Sequence, residues 1–164
     1  MPRPESAGYT LPELLLVVVI AGLLAALGLV QTGQSLARLR VESATRRVTQ
    51  GLEWGRAAAQ QLGSPCALQL SSRGWTAPSA GTVPACPGVP LSLGEGMDSN
   101  PVLLEHNLPA AVRFTSNGLV LDGGTVVVSA PGTELVRCVV ISLPLGVMRL
   151  GQWQQGACRP DLAL

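Results

Sequence analysis

From Leu14 to Val30 the chain carries neither a charged nor a polar side chain. Counted with Tyr9 to Glu13, this run reaches about 20 residues, or about 30 Å as a helix, which is the thickness of a bilayer core. Residues 9–30 therefore read as a membrane-spanning helix. The helical period then continues with a polar side: Val41, Thr45, Val48, Leu52, Gly55, Ala59 and Leu62 follow the 4-3 spacing of a helix with one buried face. The small members Gly55 and Ala59 would let a sheet approach closely. Glu42 stands four residues from Arg38 and Arg46, and Glu53 three from Arg56, so the opposite side is a solvated face with helix-spaced ion pairs. Residues 31–62 thus form an amphipathic half. Gly63 and Pro65 stop the helix, which would run about 80 Å from Tyr9 to Leu62.

Beyond Gly63 the period shortens to two. Cys66 to Leu70, Val102 to Glu105, Ala111 to Thr115, Gly118 to Leu121, Thr125 to Ser129, Leu135 to Ser142 and Gly146 to Leu150 are short, alternating or β-branched runs. Hairpin signals separate several of them: Ser116-Asn117-Gly118, Asp122-Gly123-Gly124 and Leu143-Pro144-Leu145-Gly146. Val112 and Phe114 point to one face of their strand and Arg113 to the other, so the first face belongs to the core. The Pro/Gly/Ser-rich stretch 78–101 reads as a long surface loop. The expected class is α+β, a long amino-terminal helix packed on an antiparallel sheet in a head spanning 63–164.

The 164 residues leave about 100 beyond the helix, enough for one core. All eleven basic residues are Arg, and the formal net charge is only +1, so no acidic partner is demanded. Cys66, Cys86, Cys138 and Cys158 have no C-x-x-C spacing and a single histidine for company, which argues against a metal site; no metal and no cofactor is expected. Disulfides formed in an oxidising compartment fit better, and three pairings are open. Cys66 with Cys86 and Cys138 with Cys158 is the favoured set, since each closes a local segment of about 20 residues worth roughly 3 kcal/mol of chain entropy. Buried free thiols are the alternative.

Glu13 is the anomaly of the apolar run. A carboxylate at a helix centre in hydrocarbon costs roughly 2.5–3.5 kcal/mol, less near an end, and the span holds no cation to pair with it. A secretory signal or a plain anchor leaves Glu13 unexplained, and Ala25-Ala26-Leu27 is a weak cleavage match inside a longer run. The segment Gly8-Tyr9-Thr10-Leu11-Pro12-Glu13, ahead of Leu14 to Val30, resembles the amino-terminal signature of type IV prepilins and type II secretion pseudopilins. That resemblance implies a leader, 1–8, removed after Gly8 by a prepilin peptidase. Tyr9 would become the methylated amino terminus and Glu13 the fifth residue, paired with a neighbouring subunit's terminal amine. The charge flanks point the other way: Arg3 precedes the span while Arg38, Arg40, Arg46 and Arg47 follow it, and alone they would place the head inside. The resemblance sets the leader in the cytoplasm and the head in the periplasm or another extracytoplasmic space, on a single-pass inner-membrane anchor.

The head is similar to the GspH/FimT family of minor pilins and pseudopilins. The residues that carry this are Trp54-Gly55-Arg56-Ala57-Ala58-Ala59-Gln60 ahead of Ser64-Pro65-Cys66-Ala67-Leu68, then Val112-Arg113-Phe114-Thr115-Ser116-Asn117-Gly118, then Val139 to Arg149. The resemblance implies a pilin-like fold and a minor subunit near the tip of a type II secretion pseudopilus or type IV pilus, with other pilin or pseudopilin subunits as partners. In pilins the region of Gly22, Gly28 and Gly33 can melt on assembly; close helix packing through small residues is the equal alternative.

Some FimT members bind DNA during natural transformation through Gly-Arg-x-Arg in the last hairpin. Here the segment reads Gly146-Val147-Met148-Arg149, without the first arginine. A DNA-binding minor pilin is thus the second reading, with Arg113, Arg137, Arg149 and Arg159 as contacts, aided by the stripe Arg40, Arg47, Trp54. From Ala110 onward those four arginines face Asp122, Glu134 and Asp161, a feeble footprint, so DNA is not the favoured partner. No enzyme is expected: His106 reads as an exposed loop residue, and Gly94-Glu95-Gly96 lacks the setting and lysine of a phosphate loop.

Overall fold

Helix α1 (Leu11–Leu62) starts where Thr10 turns its carbonyl into the first turn, accepting the amides of Glu13 at 3.1 Å and Leu14 at 3.2 Å. Pro12 falls in that turn, where its missing N–H costs no bond, and Glu13 adds a negative charge at the positive end of the helix dipole. The computed structural model describes residues 10–88, 92–93, 102–143 and 145–161, without the side chains of 27–32. Gly8 and Tyr9 lie outside the described residues, as does most of the second half of the loop expected over 78–101.

Two compact units divide the chain, Met1–Leu36 and Ala37–Leu164. In the first, the large apolar side chains between Leu11 and Leu24 are all exposed, on every side of the helix. Among the described residues no helix is long and apolar enough to cross a membrane. The span expected over 9–30 lies partly outside the described residues.

The second unit holds the core. From α1 it takes Val41, Ala44, Val48, Leu52, Ala58 and Ala59, all buried, with Thr45 closing its hydroxyl onto the Val41 carbonyl at 2.7 Å. Gly55 faces Phe114 and Leu68, and a Cβ there would lie 2.6 Å from the Phe114 ring. The expected stripe departs at its end: Leu62 is 51% exposed, because the helix stops at Gly63 (φ 60°) beyond the last strand it covers.

Eight strands follow: β1 (Cys66–Ser71), β2 (Gly74–Thr76), β3 (Leu103–His106), β4 (Val112–Phe114), β5 (Gly124–Ser129), β6 (Arg137–Ser142), β7 (Val147–Gln154) and β8 (Ala157–Pro160). They form two antiparallel sheets rather than the single expected one, in the orders β2-β1-β4 and β3-β5-β6-β7-β8. The reason is non-local: β3 pairs with β5 across the intervening β4, which joins β1 instead. Asp122-Gly123-Gly124 is therefore a crossing between sheets and not a hairpin. Gly118 to Leu121 is likewise no full strand but a turn folded back on β4, held by the Thr115 and Leu121 amides and a bridge between Phe114 and Val120. As expected, Val112 and Phe114 are fully buried and Arg113 is exposed.

Two strands had no sequence signal. β2 is three residues long, yet it carries Trp75, 1% exposed, whose indole Nε1 donates to the Val48 carbonyl of α1 at 3.1 Å. The indole lies flat enough on Gly51 that a Cβ there would fall 2.0 Å from it. β8 pairs along the far side of β7.

Candidate functional site

Each sheet carries one disulfide. Cys66 at the start of β1 is joined to Cys86, which a bridge between Ala67 and Ala85 holds alongside. Cys138 in β6 is joined to Cys158 in β8, although β7 runs between them. Their Cα atoms are 5.8 Å apart, where two strand spacings would give ~9.5 Å, so the sheet curls and the bond passes over the middle strand. The strand is Gly151 at that point. A Cβ there would meet the Arg159 carbonyl oxygen at 2.1 Å and the Cys158 sulfur at 3.2 Å.

The end of the head where α1 stops is fastened by polar bonds from the helix. Arg56 Nε donates to the Gly118 carbonyl at 3.0 Å, its Nη2 to the Leu145 carbonyl at 3.1 Å, and its Nη1 to Glu53 Oε1 at 3.4 Å. Gln60 Nε2 donates to the Asn117 carbonyl at 3.2 Å. One guanidinium thereby ties the helix to the turn after β4 and to the turn between β6 and β7. Only the Glu53 pair had been legible from helical spacing.

The four arginines considered for DNA are not brought together. Arg137 is 9% exposed and bonds to Asp161 Oδ2 at 2.5 Å and to Glu42 Oε1 at 3.5 Å, tying β6 to the carboxyl end and to α1. Arg113 grips Asp122 with two side-chain bonds of 2.9 and 2.8 Å while its amide donates to the same carboxylate at 2.9 Å. Hydrogen bonding by Arg113 holds the Asp122 carboxyl below its ordinary value of 3.8 against partial desolvation, and the same bonds push the guanidinium of Arg113 up. Arg149 and Arg159 are exposed, with Arg159 donating to Gln155 Oε1 at 2.9 Å. Register sets them apart: Arg149 pairs with Val140 and Arg159 with Gln152, three residues on in β7, so they occupy opposite faces of the sheet. Of the helix stripe, Arg47 donates to the Ser92 carbonyl at 2.8 Å.

Glu13 lies exposed in the first turn of α1, beside the apolar side chains of the first unit. His106 is exposed at the end of β3, and among the described residues no group of His, Cys, Asp and Glu could hold a metal ion. A cavity of about 110 Å³ lies among Trp54, Trp75 and Cys86, too small for more than a side chain.

The family model of the type II transport protein GspH matches residues 44–145, more than half of the chain. The chain belongs to the GspH family. The match runs from the core stripe of α1 through the three-stranded sheet and through β3, β5 and β6 of the second to the turn that Arg56 fastens, leaving β7 and β8 of this GspH-family head beyond it. In general terms the role is that of a pseudopilin or minor pilin, a structural subunit. No curated protein and no solved structure matches the chain.

Proposed function

We propose that this chain is a minor subunit of a type II secretion pseudopilus or a type IV pilus, placed near the filament tip. The observation that carries the proposal is the first unit of α1. Consecutive side chains from Leu14 to Ile20 are 49% to 61% exposed, so apolar surface lies on every side of this helix rather than on one face. Such a segment is stable only in hydrocarbon or among other apolar helices. Glu13 stands at its start, and GspH-family membership supports packing of such a helix among those of other pilin-like subunits.

In this reading the leader 1–8 is cut after Gly8 by the prepilin peptidase, Tyr9 is methylated, and 9–30 anchors the chain in the inner membrane with the head outside the cytoplasm. A subunit moving laterally toward the filament then pairs the Glu13 carboxylate with the terminal amine of its neighbour, an attraction strengthened by the low dielectric. The DNA reading draws no support from the head, where two of its four arginines are spent on carboxylates.

Glu13→Ala tests the mechanism. It should leave the protein in the membrane fraction, because the span becomes more apolar, and abolish co-purification with the major filament subunit. Glu13→Asp, which keeps the charge on a shorter arm, should be intermediate. Assembly of Glu13→Ala at the wild-type level would refute the reading.

A further inference from the structure

We propose that the apolar rim at the carboxyl end of α1, made by Leu119, Leu121, Leu143, Leu145 and Val147, docks the head of a different pilin-like subunit held beside this one; the inference rests on the filament reading above. These side chains come from two segments, the turn after β4 and the β6–β7 connection, that sequence order separates. The structure closes them together. A Cβ at Gly146 would fall 2.3 Å from Val120 Cγ2, one at Gly123 3.0 Å from Leu143 Cγ, and Arg56 bonds to a carbonyl in each segment.

All five are large, apolar and 37% to 59% exposed. Together they present about 400 Å² of apolar surface, the size of the largest patch on an ordinary monomer and often a functional one. That is about half of the ~800 Å² per partner that a stable interface buries. The rim is therefore too small to hold a free partner or a second copy in solution, and sufficient for a neighbour whose local concentration is already supplied by packed helices. Its chemistry selects an apolar protein surface. At its border Arg56 is matched by Glu53 and two carbonyls and Asp122 by Arg113, and Arg149, exposed two residues beyond Val147 in β7, adds a single positive charge, too little to draw nucleic acid or anionic lipid. The bonds of Arg56 and Gln60 hold the Leu145 and Asn117 carbonyls, so the rim is fixed to the helix at these points before anything docks.

The test places a photo-crosslinking amino acid in the full-length protein, in cells that build the filament, at one position at a time: Leu145 in the rim, Leu103 as an equally exposed apolar control on the edge strand β3, and Leu16 in the apolar helix. Position 145 should capture a pilin-like subunit, identified by peptide mass spectrometry, about tenfold more than position 103. Equal capture at both, or capture of a second copy of this chain at 145, overturns the proposal. If position 16 captures a pilin-like subunit and 145 does not, the docking surface is wrong and the filament reading stands; if neither does, the filament reading falls as well. Leu145→Glu should reduce recovery in the filament about tenfold at an unchanged unfolding temperature, and wild-type recovery would count against the rim.

Discussion

Replacing Gly51 by alanine puts a methyl group where the structure has an indole. The added Cβ would sit 2.0 Å from Trp75 Cδ1, 2.2 Å from Nε1 and 2.6 Å from Cγ, while ordinary contact requires about 3.4 Å. Trp75 must withdraw by about 1.4 Å, yet it is 1% exposed and bound to the Val48 carbonyl. Overpacking of this kind costs about 1–3 kcal/mol, and loss of the indole bond adds about 1 kcal/mol. Against this, Gly to Ala within a helix gains about 1 kcal/mol. The net expectation is a loss of about 2 kcal/mol, which lowers the unfolding midpoint of a head this size by roughly 8 °C. Thermal unfolding of the detergent-solubilised protein, followed by tryptophan fluorescence, measures it. Gly33→Ala serves as control: a Cβ there meets nothing within 4 Å, so the midpoint should not fall. In a Trp75→Leu background the cost of Gly51→Ala should shrink, since the colliding ring is gone. A Gly51→Ala protein as stable as the wild type would refute the claim that this seam is closed to a methyl group.

Two further outcomes follow from the charges. Because the carboxyl of Asp122 is held below 3.8 in the fold, its contribution is complete above that value and lost as the pH falls through the folded one. The midpoint difference between wild type and Asp122→Asn, measured by thermal melts, should accordingly be present at pH 7 and narrow toward pH 3; a constant gap would dismiss the carboxylate as its source. Arg137→Ala leaves Glu42 and Asp161 without their shared partner and should cost about 2 kcal/mol in urea unfolding, below the full penalty for a buried pair because both carboxylates retain some solvent.

Helical periodicity exposed the half of the core that α1 contributes, since burial along a helix repeats locally and Val41, Val48, Leu52 and Ala59 obey that repeat. It missed Gly51, which is off the stripe by its spacing and inside the seam only because Trp75 leans over it. The strand of Trp75 was too short to carry an alternating pattern, and its polar partner is a helix carbonyl 27 residues away. Sheet membership failed for the same reason: that β3 skips β4 depends on contacts between segments distant in sequence. Among the candidate contacts, charge counting treated Arg113 and Arg137 as available. Their partners Asp122 and Asp161 were counted too, but a sum has no geometry, and both arginines prove to be internal ties. Glu13 stood out for the opposite reason: its signal is a local contrast in polarity that needs no tertiary contact.

Both covalent cross-links lie outside the helix, one in each sheet. A pull along α1 would therefore reach strands that cannot be unzipped past their sulfurs, through a seam of side chains that can be sheared. Trp75 on Gly51 and Phe114 on Gly55 interlock across that seam, and the load would fall on them together rather than one after another. In a fibre under tension the strands tied by sulfur, β1, β6 and β8, would hold while the helix slipped along this seam, which makes two missing Cβ atoms a mechanical fuse of the subunit.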